Sequence, residues 1–238
     1  MSVALLDEAD TFRGLMLDLT SVMMRDVNAE FRRVGHLDQD QQQRWMTSAY
    51  PEVWTPHAAV ASDLAVDWYQ SAAPEIAYSA VRLLLPTPQT LAGQVVWAFG
   101  QHAIRHALLA AAQRDMWAEF RRTVASNAER EVGARWARHA SASACRWCQM
   151  LSTRGPVYGS KKTASKDGDS AGLLGLKQDY HKHCKCMAVP VRPGRTYEPP
   201  PHVEEWTADY ERAAQLAGGA RDVKSIMAAY RQMDKESS

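Results

Sequence analysis

The stretch Ala4–Val34, ALLDEADTFRGLMLDLTSVMMRDVNAEFRRV, decides the fold class. Leu5, Phe12, Leu15, Met16, Leu19, Met23, Val27 and Phe31 recur mostly at three- and four-residue steps, the period of one helix face. Such a stripe has to be covered, and the residues that follow supply more of the same pattern. Gly35 stands after a basic end, where a helix stops. Asp38 is placed to cap a second helix running toward Tyr50, which Pro51 is expected to end. Thr55-Pro56 then reads as a cap and a first-turn proline, opening a third helix through AAVASDLAVDWYQS. After the turn LPTPQT, Thr87-Pro88 repeats the device before a long segment rich in Ala and other strong helix formers. That segment exceeds an ordinary globular helix, so it is either extended or broken near Gly100. NAEREVGARWARHA, Asn127–Ala140, is expected to add a short helix.

From Ser141 to Pro201 the texture changes to Gly, Pro, Ser and Lys without helical period. GSKKTASKDGDSAG is a polar loop, CMAVPVR alternates as a short strand does, and RGPVYG suits another strand or a tight turn. YEPPPH reads as a stiff linker. Residues 203–234 are helical in pattern again, divided at Gly218-Gly219. The expected fold is therefore mainly α. An elongated helical N-terminal body (1–132) precedes a small irregular α+β Cys/His module (133–197), then a linker and helical tail (198–238).

Composition excludes rather than selects. Hydrophobic residues at 46% and charged residues at 23% are ordinary globular values, and a net charge of +1 argues against a global field for nucleic acid. The charge is unevenly spread: Cys145 to Thr196 holds ten Lys/Arg against three Asp/Glu, leaving 18 against 24 elsewhere. That basic segment suits phosphate or an acidic partner, or is a solvated lysine loop. The N-terminus carries no basic start with an apolar core, and no apolar run approaches the ~20 residues that span a bilayer. The expectation is a chain without a membrane anchor, made in the cytoplasm, where clustered cysteines favour metal or catalysis over disulfides. Trp45, Trp54, Trp68, Trp97 and Trp117 fall on apolar helix faces or ends, where packing explains them. His102 and His106 share helical spacing but lack the glutamate of an HExxH site.

Two short runs, CRWC (Cys145–Cys148) and YHKHCKC (Tyr180–Cys186), contain all four cysteines. A C-x-x-C knuckle aims two thiolates at one point, and zinc takes four such ligands tetrahedrally. Cys184 and Cys186, two apart, point to the same side of a strand, with His181 three residues upstream. The leading expectation is one structural zinc held by four of Cys145, Cys148, Cys184, Cys186 and His181. Disulfides between the pairs and packed free thiols stay open. A thioredoxin-type redox pair lacks its βαβ setting. A cysteine nucleophile with His181 or His183 as base lacks an orienting third group. A zinc-deaminase site lacks its H-x-E and its proline.

These residues carry a family likeness. GARWARHASASACRWCQMLSTRGPVYGS, a basic polar gap, and YHKHCKCMAVPV resemble the MuF-like minor head proteins of tailed bacteriophages, most nearly the branch of actinobacterial phages. The elements are Trp136 and Arg138, Cys145 and Cys148, Met150 and Leu151, Arg154, Gly155 and Tyr158, then His181, Cys184 and Cys186, within residues 133–192. The resemblance implies a minor capsid protein in the virion interior, bound to the portal and other head proteins, acting in head assembly and in DNA packaging or ejection. Lys161, Lys162 and Lys166 are the candidates to face packaged DNA, nonspecifically, and the apolar helix stripes suit self-association. Some relatives are fused to proteases, toxins or ADP-ribosyltransferases. This chain has no G-x-S-x-G, and its one E-x-E, Glu129 and Glu131, lies in a stretch expected as helix. The expectation is a protein that is not an enzyme. The alternative is a nuclease- or transferase-like effector using His181, His183 and Arg154.

Overall fold

Helix α1, Ser2–Arg33, begins a computed structural model that describes residues 2–157 and 184–236, with side chains from residue 8. Its buried face is Ala9, Met16, Met23, Val27 and Phe31, a run of seven- and four-residue steps that keeps one side inward. Leu15, expected on that stripe, is 44% exposed instead, because it sits one position off the line through Met16. After the turn at Gly35, α2 (Gln39–Ser71) starts at a capping box: Asp38 Oδ1 accepts from the Gln41 amide, and Gln41 returns the bond to the Asp38 amide.

The expected break at Pro51 does not occur, and Thr55-Pro56 opens no new helix; α2 runs through both prolines. Each interior proline costs about 3 kcal/mol through a lost hydrogen bond and a ring clash. The same helix face buries Tyr50, Trp54, Trp68 and Tyr69 completely, at about 1.5–3 kcal/mol for each large side chain. Ending the helix at Tyr50 would swing the aromatics beyond it off that face, so packing outweighs the local penalty.

Residues 72–76 turn, and residues 77–87, neither helix nor strand, are held where the Asn127 side chain exchanges two hydrogen bonds with the Val81 backbone. Helix α3 (Pro88–Phe99) has Thr87 as its cap and proline at its first position, as expected. The long Ala-rich segment is broken after Gly100, and α4 occupies Ile104–Arg130. His102 therefore lies in the turn, so it shares no helix face with His106. The contacts give the directions. Trp45 donates to Glu30 and His57 meets Asp26, so α1 and α2 are antiparallel. Trp54 donates to the Ala112 carbonyl, Ser62 meets Thr123 and Tyr69 donates to Glu131, so α2 and α4 run parallel.

The helix expected over Asn127–Ala140 is a correction. Its first residues finish α4, and Gly133, at φ +81°, turns the chain into strand β1, Arg135–His139. A left-handed residue there suits glycine and ends the helix. The expected strand in CMAVPVR is β2, Met187–Val191, antiparallel to β1 with Trp136 opposite Pro190 and Arg138 opposite Ala188. Outlying carbonyls of the pair are occupied: Trp68 donates to Ala188 and Tyr197 to Arg138. Trp136, Met187, Ala188 and Val189 enter the same apolar core as the helices. Arg192, just past β2, clamps this end, pairing with Glu131 at 2.6 Å and donating to the Tyr69 carbonyl over the Tyr69 ring.

Helix α5 (Arg146–Ser152) follows β1, and RGPV is a tight turn, with Gly155 at φ +62°. The C-terminal pattern forms α6 (His202–Leu216) and α7 (Val223–Glu236), parted at left-handed Gly218 and Gly219. Both pack on α5: Met150 and Leu151 meet Ala213, Ile226, Tyr230 and Met233. Arg146 is bonded to Asp209 on α6 and Asp234 on α7. The described chain is thus mainly α, as expected, with a two-stranded sheet and a cysteine cluster at its side. Among the described residues no helix is long and apolar enough to cross a membrane.

Candidate metal centre

Three elements bring the cysteines together. Cys145 is the residue before α5 and Cys148 lies one turn in, so a single helical turn carries the first pair. Cys184 and Cys186 are the residues that lead into β2, and the β1–β2 register sets them beside the end of β1 at Ala140. Cys148, Cys184 and Cys186 are buried, and their sulfurs lie within 4.8 Å of one another. Cys148 and Cys184 sulfurs are 3.4 Å apart. A tetrahedral zinc with Zn–S of about 2.3 Å needs sulfurs about 3.8 Å apart, so the donor set fits such an ion with small adjustments. Cys145 is exposed and stands outside that sphere, yet its side chain is hydrogen-bonded to Cys148.

The surroundings are apolar above and cationic below. Ala140, Val203 and Trp206 pack on the three buried cysteines, so α6 forms part of the wall. His202, at the start of α6, bonds the Ala140 carbonyl and lies against Trp206. Arg121, buried on α4, donates to the carbonyls of Cys184 at 3.1 Å and Cys186 at 3.3 Å, fixing the backbone between the two ligand candidates. Arg138, equally buried on β1, lies on the face of the sheet toward Cys186.

The thiols share protons unequally. Hydrogen bonds from Cys148 and Cys186, with the charge of Arg121 beside them, draw the Cys184 thiol well below the usual range. Cys148 is pushed up by its bonds to Cys145, Cys184 and Cys186 and by burial. Hydrogen bonds stabilise the charged form of whichever sulfur accepts them. A soft divalent metal that binds these sulfurs displaces their protons.

Of the sequence candidates, the structure gathers Cys148, Cys184 and Cys186, with Cys145 adjoining. His181, His183, Lys161, Lys162, Lys166 and Tyr158 lie outside the described residues. Arg154 is exposed in the turn after α5. Glu129 is exposed as solvated helix charge, whereas Glu131, read in the same way, is buried in the ion pair with Arg192. Arg121 escaped the sequence reading. The available signal was an arginine on the stripe Trp117, Arg121, Val124, Ala128, where a fourth apolar side chain belongs.

A mainly α chain with a buried thiol cluster is one class among many, and sequence comparison narrows it to a phage protein. The family described as VG15 protein matches residues 6–213, from α1 almost to the end of α6. The chain belongs to the VG15 family. No curated protein and no solved structure matches it.

Proposed function

We propose that this chain is a non-catalytic minor capsid protein of a phage head, held near the portal inside the virion, and that its cysteine cluster carries one structural zinc. Membership of the VG15 family and the MuF-like likeness of residues 133–192 support the setting. The observation that carries the structural reading is the enclosure of the cysteines. Cys148, Cys184 and Cys186 are each no more than 5% exposed and are walled by Trp206 and Val203. A substrate needs an open approach to a nucleophile or metal, whereas a metal tie needs only its ligands. The ion would bind α5 to β2 where the local apolar core is small, offsetting the ordering of that segment.

The portal association rests on the resemblance, and so does nonspecific contact of Lys161, Lys162 and Lys166 with packaged DNA. Two measurements test the proposal. Metal analysis of purified protein is expected to give one zinc per chain, with melting temperature falling on chelation. Tagged protein expressed during infection is expected to capture the portal protein and to be found among the proteins of purified particles. A chelator-insensitive, metal-free protein removes the zinc. Particles lacking the chain remove the virion role.

A further inference from the structure

We propose that Cys145 is the fourth ligand of the metal centre, giving a site of four thiolates, and that Arg121 and Arg138 are positioning residues that stabilise its negative charge. This rests on the zinc reading above and adds the ligand set and its electrostatic support. Three sulfurs already converge within 4.8 Å. A tetrahedral ion needs one more donor. The chain has four cysteines, and the fourth, Cys145, is hydrogen-bonded through its side chain to Cys148. It lies at the α5 end, exposed, at the rim rather than among the buried sulfurs. A turn of its side chain about the Cα–Cβ bond moves the sulfur between staggered positions without shifting the backbone.

The electrostatics favour the most anionic set. Zinc with four thiolates carries a net charge of −2, and replacing one thiolate by imidazole leaves −1. Arg121 grips the Cys184 and Cys186 carbonyls at 3.1 and 3.3 Å, which sets its guanidinium beside the backbone of both ligands. Arg138 is buried on β1 opposite Ala188, two residues past Cys186, so it shares the sheet face on which Cys186 enters β2. Two buried guanidiniums, which stay charged in proteins, therefore project positive potential toward this pair of ligands from α4 and β1. On binding, the metal takes the place of the remaining S–H protons, which leave to solvent; no oxidation occurs.

The test uses the full chain, reduced and stripped of metal, with Co2+ as the probe. Each thiolate bound to Co2+ adds to a near-ultraviolet charge-transfer absorption, so the band reports the number of sulfur ligands. Wild type is expected to show the absorption of four thiolates. Cys145→Ser is expected to lose one thiolate's share, and His181→Ala to leave the spectrum unchanged. Arg138→Met is expected to weaken zinc about 10–100-fold in competition with a chromophoric chelator, with Arg138→Lys recovering part of the loss. A spectrum unchanged in Cys145→Ser but reduced or shifted in His181→Ala overturns the ligand set while leaving the metal centre standing. Unchanged zinc affinity in Arg138→Met, with helix content intact by circular dichroism, overturns the electrostatic role. Wild type that takes up no Co2+ overturns both the inference and the zinc reading beneath it.

Discussion

Replacing Glu119 by glutamine is expected to convert a pH-dependent stability into a flatter one. Glu119 lies on α4 and is 1% exposed. Its Oε2 accepts from Arg122 at 3.1 Å, and its Oε1 is buried with no hydrogen-bond partner among the described residues. Burial raises its carboxyl from 4.5 to about 7, with Arg122 opposing. A shift of that size corresponds to about 3 kcal/mol, at about 1.4 kcal/mol per pH unit. The folded-state value is the higher one, so folding takes up a proton between the two values. The stabilisation is complete below 4.5 and is lost as pH rises through about 7. Glutamine keeps the volume and the Arg122 contact while removing the ionisation. Urea titrations near pH 5 and pH 8.5 give the unfolding free energy of each protein by linear extrapolation. Between those pH values, which span most of the window, the variant is expected to gain about 2.5 kcal/mol on wild type. Other titrating groups cancel in the difference, because both proteins contain them. If the gap between the two proteins is the same at both pH values, the burial argument for Glu119 is refuted.

His139 works in the opposite direction. Burial and the Arg13 charge pull it from 6.5 to about 4, against the attraction of Asp10, so its contribution is complete above 6.5 and lost as pH falls through about 4. His139→Gln is expected to reduce the acid sensitivity of unfolding by up to about 3 kcal/mol over that window, and an unaltered acid limb would refute it. Pro56 is exposed inside continuous α2, so Pro56→Ala restores a backbone donor and is expected to stabilise by about 1–3 kcal/mol. A lowered melting temperature would show that the proline serves the fold there. Glu131→Gln leaves the buried Arg192 guanidinium without its anion and is expected to cost about 3–5 kcal/mol in a urea titration. A loss below about 1 kcal/mol would mean that the Tyr69 and Tyr78 carbonyls and rings satisfy Arg192 without it.

The helical character of the chain and the starts of α2 and α3 were legible in the sequence, because they depend on neighbours a few residues apart. The Met16–Met23–Val27 face follows from the 3.6-residue period, and the caps at Asp38 and Thr87 act on amides within their own first turn. The pairing of Cys145 with Cys148 and of Cys184 with Cys186 was visible for the same reason. Tertiary structure decided what long-range contact decides. Whether Pro51 ends a helix depended on aromatics buried against α4, and RWARH became a strand because MAVPV, about fifty residues later, supplied its partner. Glu131 read as solvated helix charge in one dimension, and Arg121 and Arg192 drew no reading at all. Packing buried them, and a charge taken from water must find hydrogen bonds or an opposite charge, which only the folded chain brings to it.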